Sequence, residues 1–443
     1  MRSPAEAVPG DGLARAPLVF VEEAHDLPVV LVQASLRSGS AWDPPGREGL
    51  ARMTVEMLRR GAGGRSRAEI DETLDRLGAD IGASAGADSI SLTGHVLKRN
   101  LEPFLAVFSD VLCAPDFPEN EVEKLRREML AALDEMREDD HDLCSRHFAR
   151  HLYGDHPYGR SSLGTEASIA AITNGEIRDF YLTHFADANM IIGLSGDVDE
   201  TTAAAAERAV ARLAHRPAPP AIPLVDPPVP AGRRLLLVDK PERTQTQLLI
   251  GHPAPRWGTP EYDALQVATT AFGGTFTGRL MTEVRVKRGL SYGAYATLHG
   301  GRGRGHLDLW VFPSAKDTIE TLALVLGMYD DLASRGLAED EIAFARRHLV
   351  GHFPLAIETP ERRLSYRTDL EICGLPADYL SRYRDRISSV TPAAVADAVQ
   401  RYVTPRHLAV TLVATAAAVA PEIEEARERL ALDEVRAVKY DSY

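Results

Sequence analysis

Cysteine is scarce. The 443 residues hold three, Cys113, Cys144 and Cys373, an odd number set far apart. That excludes a disulfide framework and a cysteine-based zinc site, and it makes a reducing, cytoplasmic setting the default expectation. Long apolar runs are missing too. The strongest, Leu408–Ala420, is rich in Ala and Thr and falls well short of the roughly 20 residues that cross a bilayer. The opening stretch MRSPAEAVPGDGLARAPL has no apolar core of a secretory leader; a periplasmic location stays open if a leader has been removed. Positive charge is in deficit: 50 Lys and Arg against 64 Asp and Glu leave a net charge of −14. A general nucleic-acid binder would need a basic face, so nucleic acid is not an expected partner, and neither is a membrane. A hydrophobic share of 44% with 26% charged residues is ordinary for a folded soluble chain.

What the chain does contain is an internal repeat. Residues 217–230, PAPPAIPLVDPPVP, form a proline-rich stretch that can continue neither a helix nor a central strand. On either side the text aligns at a nearly constant offset. ITNGEIRDFYLTHF from Ile172 matches VTPAAVADAVQRYV from Val390, and LPVVLVQASL near Val29 matches TQTQLLIGH near Gln247, both 218 residues on. ENEVEKLRREMLAAL near Glu121 matches EDEIAFARRHLVGHF near Glu341. The expected boundaries are a first domain over 18–216, a linker over 217–232 and a second domain over 233–440.

Each half mixes helices and strands without a βαβ cycle. Val29–Leu36, Ser89–Val96 and Met190–Ser195 read as strands. Arg47–Arg60, ending at Gly61, reads as a helix, as do Ser66–Leu77, Leu101–Leu112, Pro118–Met136 and Glu200–His215. The fold class is α+β, with two homologous sandwich units.

Three segments carry a family resemblance: GREGLARMTVEMLRRGAGGRS (47–66), HLYGDHPYGRSSLGTEASIAAITNGEIRDFYLTHFADANMIIGLSGDVD (151–199) and AFGGTFTGRLMTEVRVKRGLSYGAYA (271–296). With them, residues 18–435 resemble the insulinase/pitrilysin family, especially its mitochondrial-processing-peptidase-like branch. The resemblance implies an insulinase-type metallopeptidase fold, a half-clamshell of two homologous units that closes with a second such chain around a chamber for unfolded peptides. Active members are zinc endopeptidases with an inverted H-x-x-E-H motif. On a helix the two His, at i and i+4, share one face and hold Zn²⁺. The Glu between them activates the metal-bound water, and a downstream Glu completes the ligands.

This chain departs from that pattern. Where the family reads G-L-A-H-x-x-E-H-M-L, Gly49 to Leu58 read G-L-A-R-M-T-V-E-M-L. The two His positions hold Arg52 and Glu56, and the base position holds Val55. A one-residue shift makes Glu56 the base but puts the thioethers Met53 and Met57 at the ligand positions, which zinc disfavours. The downstream ligand falls at Ala131 or Ala132. No zinc is therefore expected in this chain; an Arg52–Glu56 ion pair is expected where the metal would be.

The second half keeps a different feature. The resemblance implies an Arg and a Tyr seven residues apart that hold the substrate carbonyl and its oxyanion. Arg285 and Tyr292 keep that spacing, and a guanidinium and a phenol suit the role; Arg288 and Tyr295 are alternatives if the register slips. The family's peptide-binding edge aligns with Ser84, Ala85, Gly86 and Ala87, which could equally form a plain Gly/Ala-rich turn.

Other candidates read as structural. His147 and His151 form H-x-x-x-H without an evident acidic third ligand. His156–Gly159 reads as an architectural turn, and Asp139, Asp140, His141 and Asp142 as a solvated one. Gly300–Gly305 (GGRGRG) reads as a hairpin connection, and Gly273–Gly274 lack the Lys-Ser/Thr of a phosphate loop.

The expected function is thus a zinc-less, non-catalytic subunit of a heterodimeric zinc endopeptidase. Its partner would be a homologous subunit carrying the zinc, and peptides would be the substrates. A homodimer in isolation stays open. The alternatives are a non-enzymatic scaffold of the core type and, behind it, a self-sufficient metallopeptidase with displaced ligands.

Overall fold

The computed structural model describes residues 17–213, 215–222 and 225–442. The N-terminal segment read for a leader, and Pro223 and Leu224 of the linker, lie outside the described residues.

The chain divides into two compact units. The first is built on a five-stranded sheet in the spatial order Leu18–Glu23, Met190–Gly196, Val29–Leu36, Ile90–Leu97, Asp80–Ala85. The outer pair, Leu18–Glu23 with Met190–Gly196, is parallel, and the other pairs are antiparallel. The second unit carries a six-stranded sheet in the order Ser291–Leu298, Arg304–Pro313, Gln247–Arg256, Leu408–Ala414, Arg233–Asp239, Glu434–Lys439. Read from the other end and without its last strand, this is the same order. Again the first strand of the unit, Arg233–Asp239, pairs in parallel with the last strand of the repeat, Leu408–Ala414. The 218-residue repeat is thus a repeat of topology as well as of text.

The elements follow from local chemistry. Val29–Leu36 (VVLVQASL) is β-branched and aliphatic because it is central and covered on both faces. The helix Arg67–Leu77 starts at a capping box, with the Ser66 hydroxyl accepting from the Glu69 amide and the Glu69 carboxylate accepting from the Ser66 amide. The helix Asn174–His184 begins the same way at Thr173 and Glu176.

The units do not follow the proline boundary alone. Residues 127–169 group with the second unit, although the sequence placed them in the first domain. The reason is the helix Asp140–Tyr153. Its Leu143, Cys144, Phe148 and Leu152 are buried against Leu236, Val238, Leu249, Ala409 and Val413 of the second sheet. The other face of that sheet packs on helices that include Pro260–Phe272 and Thr318–Arg335 and forms the unit's main core.

Candidate functional site

The helix that carries the degenerate zinc motif, Leu50–Met57, lies in the first unit. It packs against the edge strand Asp80–Ala85 and the helix Asn174–His184. Its N-terminus is fixed by the buried Asp43 carboxylate, which accepts from the amides of Gly49 and Ala51 at 2.9 and 2.8 Å. Gly49 itself sits at φ 95°, which a side chain would resist. A buried carboxylate at a helix start satisfies orphan amides and meets the positive end of the dipole.

Arg52 and Glu56 form the expected ion pair, Nε to Oε1 at 2.7 Å. Both are partly exposed, so the pair contributes no more than a few tenths of a kcal/mol. Val55, which the resemblance aligns with the general base, is 0% exposed and part of the core. Met53 and Met57 are also fully buried, so the shifted register offers no ligands at the surface. A cavity of about 240 Å³ beside the helix is lined by Glu56, Arg59, Arg60, Arg67 and Ala83. Arg59 donates to the Ile81 carbonyl and to Asp71, each at 2.7 Å. Guanidinium groups and one already paired carboxylate do not fit a divalent cation. Ala131 is exposed and Ala132 half-buried, and neither has a ligand atom.

In the second unit, Arg285 stands on a π-helical turn, Thr282–Lys287. Gly289, at φ 64°, reverses the chain into the edge strand Ser291–Leu298. That strand starts with a bulge: its register to Arg304–Pro313 shifts between Ser291 and Ala294. The Ser291 hydroxyl donates to the Gly293 carbonyl at 2.7 Å and accepts from the Phe312 amide at 3.1 Å, holding the bulge. A bulge of this kind re-aims side chains, and Tyr292 here is 74% exposed. The Arg285 guanidinium lies 4.5 Å from the Tyr292 ring centre and 4.7 Å from that of Phe276. Stacked between two aromatic rings, it is held by cation–π attraction. Among the described residues neither the Arg285 guanidinium nor the Tyr292 hydroxyl makes a hydrogen bond or ion pair, so their donors are unspent. The alternatives are engaged elsewhere: Arg288 faces Glu283, and Tyr295 stacks on Trp310.

Phe276, 61% exposed in the Gly-rich segment, completes the stack and was not singled out from the sequence. The only available signal was a large apolar residue in a flexible loop. Of the four edge residues, Ser84 and Ala85 end the edge strand Asp80–Ala85. Gly86 and Ala87 form the turn, and their carbonyls accept from the amides of Ser40 and Ala41.

His147 and His151 line a cavity of about 420 Å³ together with Arg150, Arg234 and Arg436. Burial pushes the His147 imidazole down to about 4, and burial with the charges of Arg234 and Arg436 pushes His151 down to about 3. The arginines make this a poor place for a metal. The Asp139 carboxylate caps the next helix by accepting from the amides of His141 and Asp142. Gly300–Gly305 connects two antiparallel strands, as expected.

The insulinase profile of peptidase family M16 matches residues 18–166, and the profile described as the peptidase M16 inactive domain matches residues 171–349. The chain belongs to the insulinase family, peptidase family M16. The descriptions of the matched profile and of similar proteins support a non-catalytic member. A Streptomyces coelicolor protein described as an uncharacterized zinc protease is 27% identical, over 80% of this chain and 78% of its own length. A Helicobacter pylori protein described as a non-peptidase homolog is 22% identical, over 88% and 89%. The solved peptidase M16 inactive domain of Pseudomonas fluorescens superposes with a TM-score of 0.82 at 27% identity, covering 90% of this chain and 95% of that one. The first half of the Escherichia coli periplasmic protease PqqL shares the fold, with a TM-score of 0.76 at 16% identity and 95% coverage of both chains. No helix among the described residues is long and apolar enough to cross a membrane.

Proposed function

We propose that this chain is the non-catalytic subunit of a two-chain peptidase, without the catalytic zinc. It would contribute part of a peptide chamber, the edge at Ser84 and Ala85, and the Arg285/Tyr292 donors. A homologous partner would supply zinc, general base and third ligand. The observation that carries this reading is an asymmetry. The helix Leu50–Met57 has no histidine, its one carboxylate, Glu56, is paired with Arg52, and Val55 is sealed in the core, while Arg285 is held between Phe276 and Tyr292 with its donors free.

Such donors act on charge that develops in the transition state. The Arg285 guanidinium and the Tyr292 hydroxyl would bind the oxyanion as the scissile carbonyl becomes tetrahedral. The edge strand would hold an extended peptide by main-chain hydrogen bonds, which are indifferent to side-chain sequence. The test is to mix this chain with an H-x-x-E-H homologue from the same organism and follow peptide cleavage. Activity that appears only in the mixture and falls with Arg285→Ala supports the reading. A homologue equally active alone favours a non-enzymatic binding protein.

A further inference from the structure

A second group of metal-ligand atoms, unrelated to the motif helix, lies on the hairpin Ser291–Leu298/Arg304–Pro313 and its connection. His299, His306 and Asp308 bring one ligand atom each within 4.8 Å of one another. The Nε2 atoms of His299 and His306 lie 3.0 and 3.4 Å from the same Asp308 oxygen, Oδ2. Metal–ligand bonds of about 2.0–2.1 Å at tetrahedral angles place ligand atoms about 3.3 Å apart. The shorter contact is a hydrogen bond in this metal-free structure, and both spacings lie close to the edges of a tetrahedral zinc site. The two imidazoles stack with ring centres 4.2 Å apart, so the partly exposed His299 ring must turn to aim its in-plane lone pair at a shared ion.

We propose that His299, His306 and Asp308 bind one divalent transition-metal ion of the zinc class. Backbone and neighbouring side chains build the site. The His299 amide donates to the His306 carbonyl at 2.8 Å, which sets the two rings side by side. Gly305 permits this, since a Cβ there would lie 1.9 Å from the His299 carbonyl oxygen. The Tyr153 hydroxyl is 3.0 Å from His306 Nδ1. With the ion bound, that hydroxyl would accept from Nδ1–H and the Nε2 lone pair would face the metal, as is usual for metal-binding histidines. Tyr158 packs edge-on against Tyr153, and its hydroxyl accepts from the Gly303 amide in the connecting loop. The Asp308 carboxylate faces both rings. It is 12% exposed and His299 is 42% exposed, so an ion can enter from solvent and a fourth position is left for water.

Two imidazoles and one carboxylate select zinc-class ions over magnesium or calcium, which prefer oxygen-only cages. The exposed group Asp139, His141 and Asp142 differs, because its Asp139 oxygen is spent on the helix cap. The ion would tie the helix Asp140–Tyr153, through Tyr153, to the hairpin.

The test uses the full chain, stripped with a chelator and titrated with zinc chloride against a chromophoric competitor. One zinc per chain is expected, with Tm raised by about 5 °C at saturating metal. His299→Ala, at a partly exposed position that folding tolerates, should weaken binding at least about 100-fold, and Tyr153→Phe about tenfold. Glu56→Gln should change nothing. The absence of micromolar binding by the unsubstituted chain, or full-strength binding by His299→Ala, would overturn the proposal. Neither result bears on the subunit reading, which is judged by cleavage in the mixture.

Discussion

Val55, which the resemblance aligns with the family's general base, is wholly buried. Val55→Glu therefore asks a packed core to accept a carboxyl, and the cost has two physical sources. Removing a buried isopropyl group sacrifices about 1.5 kcal/mol of apolar burial, part of which the Glu methylenes recover. Suppressed ionisation costs more. Buried Glu reaches a pKa of about 8–9, so near pH 7 the folded state must bind a proton that an unfolded Glu, with a pKa of about 4.3, does not hold. That gap of about 2.7 pH units, at about 1.4 kcal/mol each, gives about 4 kcal/mol. The total, about 4–5 kcal/mol, approaches the whole stability of an ordinary domain. A raised folded-state acid pKa costs nothing below the unfolded value and costs progressively more as pH rises toward the folded one. The penalty should thus shrink to about 1–2 kcal/mol near pH 5. Urea unfolding of both chains at the two pH values measures it. A Val55→Glu chain within about 1 kcal/mol of the parent near pH 7 would show that the side chain reaches water, and would refute the sealing of this position.

Other perturbations probe the remaining parts. Gly293→Ala places a Cβ 2.6 Å from the Tyr295 ring and 2.8 Å from that of Phe312; we expect a loss of about 1–3 kcal/mol in urea unfolding and a displaced Tyr292. A double-mutant cycle on Arg52 and Glu56 should give a coupling of about 0.5 kcal/mol or less that vanishes in high salt. Burial lowers His147, His184 and His252 to about 4, and burial with Arg234 and Arg436 lowers His151 to about 3. Their stabilising neutral forms are secure above about pH 6.5, and stability is lost as pH falls from there toward 3–4. The slope is up to about 1.4 kcal/mol per pH unit for each histidine, so urea midpoints should drop steeply between about pH 6.5 and 4.5.

The repeat was legible because the strands that make each sheet, such as Val29–Leu36 and Met190–Gly196, are aliphatic runs at fixed offsets. The helix Arg67–Leu77 was legible to within a residue, with its Ser66 cap read as the first helical position. Of the edge strand Asp80–Ala85 (DIGASA) only Ser84 and Ala85 were reached, through the resemblance, because small and polar residues on a half-exposed edge give no alternation. Nor could the sequence reveal where residues 127–169 belong. The apolar face of Asp140–Tyr153 says that it is buried, not which sheet buries it. The loss of the zinc motif was visible residue by residue, and so was the Arg285/Tyr292 spacing. The stacking of Phe276 depends on a loop path, and the meeting of His299, His306 and Asp308 on a hairpin register. Neither has a linear signature.

The central claim is that Arg285 of this chain serves a metal held by another. The most direct measurement is kcat for peptide cleavage by the mixed pair, with parent and Arg285→Ala chains added at saturating concentration. The account predicts no cleavage by this chain alone, cleavage in the mixture, and a fall of about 10²–10³ in kcat with Arg285→Ala at unchanged affinity between the chains. Undiminished cleavage with Arg285→Ala, or cleavage by this chain in the absence of the homologue, would contradict it.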